Sequence, residues 1–251
     1  MSRRDRRRSG PALTVPEPLL DALARLHGPL EAPETVARLA RGVAALQAGL
    51  TQDRARFSGG HYLERADLRA AYQSYYLCAN APKLWPALDR LADALPEPFA
   101  VLELGGGPGT GVAGVGLWAR ARGRTVRHHL TDHRSANLAA ARDLAQALGL
   151  PLRTSALDLT APSYEGPPAD LVLMMNVINE LPPSADAGLA ALLDRAVAPR
   201  GVALALEPAA ATPSRRALAL RDALVAAGWH PRFPCPHAQA CPTLAVGDWC
   251  H

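Results

Sequence analysis

The chain has 251 residues, 49% of them hydrophobic, and a formal net charge of +4 at pH 7. That length allows a large core with a smaller appendage, and arginine or proline interrupts every apolar run before it reaches membrane-spanning length. The charge is local: residues 1–8 hold five arginines and one aspartate, while the remainder carries 22 basic and 22 acidic residues and is neutral.

The opening Met-Ser-Arg-Arg-Asp-Arg-Arg-Arg lacks the apolar segment of a secretory signal. The expectation is a soluble, cytoplasmic, bacterial-type chain without a membrane partner. Residues 1–12 read as a basic tail, either a disordered, solvating terminus or an arm for phosphate backbones. The chain has 26 arginines and one lysine, Lys83, a bias that looks genomic, so arginine content alone says little about RNA.

Residues 13–96 read as a helical subdomain. Leu19, Leu20, Leu23 and Leu26 fall at helical spacing until His27-Gly28-Pro29, and Val36, Leu39, Val43, Leu46 and Leu50 form a second stripe. Residues 51–60 read as a loop and 62–79 as a third helix. Asn80-Ala81-Pro82 breaks it, and a fourth helix covers 83–94. Strands and helices then alternate over 97–228: strand 99–104, helix 110–122, strand 125–131, helix 134–148, and a short strand near 152–156. After a loop at 160–168 come strand 170–176, helix 184–197, strand 201–207 and helix 213–227. Repeated βα units make an α/β fold, a doubly wound parallel sheet with helices on both faces. Ligands of such sheets sit at the carboxyl ends of the strands.

The first strand runs into Val101-Leu102-Glu103-Leu104-Gly105-Gly106-Gly107-Pro108-Gly109-Thr110-Gly111. Glycines permit positive φ and close backbone approach, and N–H groups opening the next helix offer a site for a polar or anionic group. With Glu103, Gly105, Gly106, Gly107 and Gly109, the spacing resembles the first motif of Rossmann-like S-adenosylmethionine-dependent methyltransferases. A dinucleotide pattern, Gly109-Thr-Gly111-Val-Ala-Gly114, is also present, but it starts five residues late, inside the expected helix. A tight turn without a ligand is the plain alternative.

Asp132 closes the second strand, 27 residues after Gly105. It suits ribose hydroxyls or the N-cap of the following helix. Asp158 resembles the acid that reaches the adenine amino group in methyltransferases, and also reads as a turn aspartate. The fourth strand ends in Asn176-Val-Ile-Asn179-Glu180-Leu-Pro182-Pro183. Asn176, Asn179 and Glu180 stand where methyl donor and acceptor would meet, with Asn176 also a candidate cofactor contact. The Asn/Asp-Pro-Pro-aromatic motif of amino-methylating enzymes is missing, and capping of the next turn is the alternative role. Glu207 either faces the cleft or bonds loop amides.

Cys235, Cys241 and Cys250 crowd into 16 residues of the segment 229–251. Turn-rich segments presenting thiolates suit a metal, and a reducing cytosol disfavours a disulfide. Isolated buried cysteines are the ordinary alternative, and Cys78, inside an apolar helix, reads as core.

These pieces combine with Tyr72-Gln-Ser-Tyr75-Tyr76-Leu-Cys-Ala-Asn80-Ala-Pro82-Lys83-Leu-Trp85, Glu207-Pro208 and Cys-Pro-His-x3-Cys-Pro…Trp-Cys-His. Together, from about residue 60 onward, they resemble the methyltransferase-like proteins of the mitochondrial small ribosomal subunit and their bacterial homologues. The resemblance implies a Rossmann-like class I methyltransferase fold and S-adenosylmethionine as cofactor. It also implies a role in small-subunit assembly and translation, with rRNA as target. A [4Fe-4S] cluster is attributed to the family, for which Cys235, Cys241 and Cys250 would be three ligands; zinc is the alternative metal. Two departures stand out. The chain stops at His251, where the family continues into final sheet strands and a further cysteine, so His237, His251 or an exogenous group would complete the ligand set. Ala210 to Arg216 also replaces a more glycine-rich turn. A non-catalytic RNA-binding assembly factor and a small-molecule methyltransferase are the competing functions. Lys83 and Arg69 are candidate RNA contacts or members of solvated helix faces, and a monomer is expected.

Overall fold

The computed structural model describes residues 14–52 and 58–249; the basic tail and Cys250 lie outside them. Five strands, β1 (Phe99–Leu104), β2 (Val126–Asp132), β3 (Leu152–Ala156), β4 (Ala169–Met175) and β5 (Val197–Leu206), form one sheet in the order β3-β2-β1-β4-β5. Every pairing is parallel, which gives the Rossmann-like arrangement. Leu104 pairs with both Thr131 and Met174, so β1, β2 and β4 end at one edge of the sheet.

The central strands β1 and β4 are buried on both faces, as parallel strands flanked by helices must be. Alternate residues of β1 feed two cores. Phe99 and Val101 join Leu171, Leu173, Val202, Val115 and Trp118 on one face, against α4 (Trp85–Leu91) and α5 (Thr110–Ala121). Leu102 and Leu104 join Val172, Met174, Leu189, Leu193 and Leu220 on the other, against α7 (Asp186–Ala196) and α8 (Ala211–Ala226).

The N-terminal helices α1 (Glu17–His27) and α2 (Pro33–Gln52) form as their apolar spacing predicts. The stripe of α1, Leu19, Ala22 and Leu23, packs with Leu77 on Leu117 of α5 and on Leu144 and Leu148 of α6 (Ser135–Leu148). The helical region and the sheet domain therefore share a core.

The expected third helix differs most. Residues Ser58–Glu64 are a 3-10 turn, α3 covers Ala66–Ala71, and the next turn, Tyr72–Leu77, is a π-helix. Pro82 does not end helical geometry, because it sits in the first turn of a 3-10 segment, Ala81–Leu84, where its missing N–H costs nothing. At the other end of the chain, β5 starts at Val197 rather than 201. Val197 pairs with Ala169, and the register then shifts near Arg200, which has φ +69°. Among the described residues, no helix is long and apolar enough to cross a membrane.

Candidate functional site

The loop between β1 and α5 turns on three left-handed glycines, Gly105 (φ +64°), Gly107 (φ +55°) and Gly109 (φ +101°). A Cβ built on Gly107 would meet nothing within 4 Å; this glycine faces open space. Gly111 and Gly114 lie inside α5 and serve packing instead. A Cβ on Gly111 would fall 2.2 Å from Glu103 Oε1, and one on Gly114 2.8 Å from the Ala81 carbonyl. The dinucleotide spacing thus marks helix contacts rather than a phosphate loop.

Glu103, expected to shape the pocket, does so from behind. It is fully buried; Oε1 accepts from the Gly111 N–H at 3.1 Å, and Oε2 lies 2.9 Å from His128 Nε2. The buried His128 side chain has no partner at Nδ1, so its contact with Glu103 is made through Nε2 alone.

Asp132 performs several tasks at the end of β2. Its Oδ2 accepts from the Gly107 N–H at 2.9 Å, while Oδ1 accepts from the Arg134 N–H at 2.8 Å and from Asn137 Nδ2 at 3.2 Å. It therefore fastens the glycine loop and the entrance to α6 together. Asp158 is exposed and accepts from both the N–H and the hydroxyl of Thr160, at 2.8 and 2.7 Å. Those bonds hold its carboxyl below the usual carboxylate range.

Beyond β4, Asn176 adopts φ +55°, a conformation that costs a non-glycine residue about 1 kcal/mol. Glu207 braces the following turn. Oε1 accepts from the Val177 and Ile178 N–H groups, both at 2.9 Å, and Oε2 from Asn179 Nδ2 at 2.7 Å. Burial pushes the Glu207 carboxyl up, and the bonds from Asn179, Ile178 and Val177 work against that rise. Of the three residues expected at the reacting centre, Asn176 and Glu180 line the cavity, whereas Asn179 turns away to Glu207.

The cavity at these strand ends measures about 260 Å³. Gly105, Gly106, Gly107, Asp132, Asp158 and Asn176 are among its walls, and Tyr62, Leu63 and Tyr72 reach in from the helical region. At its mouth, Arg134 donates to Glu64, to His61 Nε2 at 2.9 Å and to His133 Nε2 at 2.8 Å. Burial pushes both phenols up, Tyr72 to about 12, so both keep their protons at neutral pH. Tyr62, Thr110 and Asn137 escape a reading of local motifs; Tyr72 carries a signal only through the tyrosine-rich run it opens.

The expected iron–sulfur or zinc ligand set is not assembled by the described residues. No three His, Cys, Asp or Glu side chains among them come together in a metal-holding group, and Cys250 lies outside them. Cys235 is exposed, and Cys241 is half-buried beside the short helix α9 (Pro242–Ala245). Arginines instead anchor this segment through main-chain oxygens, Arg221 to His237 and Arg215 to Gly247. Cys78 is buried, as read from the sequence, and desolvation raises its thiol to about 11.

Three solved structures align with part of the chain. An S-adenosylmethionine-dependent methyltransferase from Clostridium acetobutylicum aligns at TM-score 0.40 and 15% identity, over 49% of this chain and 49% of that one. The glycopeptide N-methyltransferase MtfA complexed with sinefungin aligns at 0.39 and 19%, over 50% and 49%. A methyltransferase from Geobacter sulfurreducens in complex with S-adenosyl-L-homocysteine aligns at 0.37 and 22%, over 48% and 47%. The chain thus spans about half the length of these structures. No curated protein matches the sequence. The family model described as Mitochondrial small ribosomal subunit Rsm22 matches residues 66–251, well over half of the chain, and the protein belongs to that family.

Proposed function

We propose that the chain binds S-adenosylmethionine in this cavity and acts on the small ribosomal subunit, with rRNA as the methyl acceptor. One observation carries the reading: an open-faced Gly107, pinned by Asp132, at the joint ends of β1, β2 and β4. The volume lies just under the ~300–1,000 Å³ of small-molecule sites, and the cavity opens to solvent on one side. Charge favours this ligand over a dinucleotide. The lining carries three carboxylates, Asp132, Asp158 and Glu180, against one guanidinium, Arg134. Such a wall attracts a cationic ligand and repels a pyrophosphate.

Bound S-adenosylmethionine supplies an electrophilic methyl group on a sulfonium. The chain's own residues have only to orient the partners and exclude water. Gly105 to Gly109 would seat the methionine part, Asp132 the ribose and Asp158 the adenine edge. Tyr62, Leu63 and Tyr72 would cover the reacting end, where Asn176 and Glu180 meet the acceptor. Calorimetric titration with S-adenosylmethionine of the wild type and of Gly107→Val tests the site; equal affinity in both overturns it. Radiolabelled methyl transfer to small-subunit particles tests the activity.

A second reading is an assembly factor that retains the cofactor without consuming it. It is favoured because Asn179, one of three polar residues near the acceptor position, is committed to bracing Glu207. Tight cofactor binding with no methyl transfer selects it. Three free thiols among the described residues suit a reducing compartment such as the cytoplasm.

A further inference from the structure

Gln73 is 3% exposed and lies behind the cavity wall, in the π turn Tyr72–Leu77. Its carboxamide touches three separate elements. Nε2 donates to the carbonyl of Pro108 at 3.0 Å, in the glycine loop, and to that of Ala140 at 3.4 Å, in α6. Oε1 lies 2.9 Å from His27 Nε2, in the last turn of α1. The orientation of the amide is determined. Reversed, it would set its oxygen against two carbonyl oxygens, so Nε2 must face Pro108 and Oε1 must accept from His27.

Burying a carboxamide is costly unless its groups are paired, and these contacts pair them. Each contact also reaches something the site depends on. Pro108 follows Gly107, whose N–H is held by Asp132, and Ala140 belongs to the helix whose entrance Asp132 fastens through the Arg134 N–H. One short segment thus serves both sides of the wall: Tyr72 lines the cavity while its neighbour Gln73 passes beneath the loop. Single π turns inside helices recur at functional sites.

We propose that Gln73 is a positioning residue for the glycine loop: through the Pro108 carbonyl it sets the placement of Gly107, and through His27 it couples α1 to ligand affinity. The inference rests on the loop being the cofactor's seat. A partner that moves α1 would then alter affinity in the cavity, and a ligand in the cavity would alter affinity for that partner equally.

The full-length chain is compared as wild type, Gln73→Leu, His27→Ala and Leu23→Ala; the last removes core packing in α1 without touching the loop. Amide hydrogen exchange over residues 105–111, measured without ligand, is the first readout. Titration with S-adenosylhomocysteine is the second, with melting temperature recorded throughout. Gln73→Leu is expected to speed exchange in the loop and to weaken binding about tenfold, the equivalent of one hydrogen bond lost. His27→Ala should shift both in the same direction by less, and Leu23→Ala should lower the melting temperature alone. If loop exchange and affinity in Gln73→Leu match those of Leu23→Ala, Gln73 is packing only and the proposal falls. Should Gln73→Leu not fold, unchanged loop protection in His27→Ala overturns it. A wild type that binds no S-adenosylhomocysteine defeats the cofactor reading, while loop exchange still decides the role of Gln73.

Discussion

The main-chain N–H of Gly107 donates to Oδ2 of Asp132 at 2.9 Å, which makes the tip of the glycine loop and the end of β2 one mechanical unit. Asp132→Asn should damage both at once. A carboxamide offers one accepting oxygen where the carboxylate serves three N–H donors with two. The expected loss is about 1–2 kcal/mol of stability and about tenfold or more in ligand affinity, read by urea denaturation and calorimetry. Wild-type affinity in this variant would remove Asp132 from the site.

Two glycines of the same motif should fail in opposite ways. Gly111→Ala drives a methyl group into the Glu103 carboxylate and should cost more than about 2 kcal/mol, as overpacking in a rigid interior does. Gly107→Ala meets open space and should cost only the ~1 kcal/mol of a left-handed alanine, while weakening ligand binding. Thermal melts and titrations run together separate the cases, and equal stability loss in both contradicts the assignment.

Glu103→Gln replaces the buried acceptor of Gly111 and the partner of His128. Loss of a charge-assisted bond from a buried pair predicts a destabilisation of about 2–3 kcal/mol, measured by chemical denaturation. A variant as stable as wild type would show that the pair contributes nothing net.

Much of this site is legible as spacing along the chain. The glycine loop, Asp132, Asp158 and Asn176 each follow a strand, and parallel topology brings the ends of strands together. What stays hidden depends on where a side chain turns. Glu103 carries the acidic signal of the motif, yet its carboxylate points back to Gly111 and His128. Asn179 looks equivalent to Asn176 until Glu207, far along the chain, claims it. Tyr62 and Gln73 reach the site only by packing between the helical region and the sheet, and a π turn has no apolar period by which to announce itself. The cysteines teach the converse, since crowding in sequence is not convergence in space.

Acid should weaken the fold through His27. Burial holds its imidazole below the ordinary value; the Gln73 bond opposes that shift and nearby Arg38 adds to it. The unfolded chain therefore takes up the proton more readily than the folded one. The stability contribution is complete above about pH 6.5 and is lost as pH falls through the lowered folded value. His129 is shifted in the same direction, also by burial. Urea midpoints at neutral and mildly acidic pH should differ less in His27→Gln than in wild type; an unchanged difference assigns the effect elsewhere.

Thiol reactivity should divide the cysteines. The Thr243 side chain, with the N–H groups of Leu244 and Thr243, holds the Cys241 thiol below its usual value, whereas Cys78 is raised to about 11 and buried. Iodoacetamide should label Cys241 well before Cys78, which should react only on unfolding. Mass spectrometry of timed samples reads the order, and early labelling of Cys78 would refute it.

The seam between α1 and the sheet domain has a temporal side. Leu19 and Leu23 leave the ribosome long before Leu117, Leu144 and Leu148 exist to receive them, and the bond from Arg25 to the Ala147 carbonyl closes a span of 122 residues. Contacts so distant in sequence form late. During synthesis the first helix must therefore wait, its apolar stripe uncovered, until α6 has been made. A segment translated early is among the last to find its place.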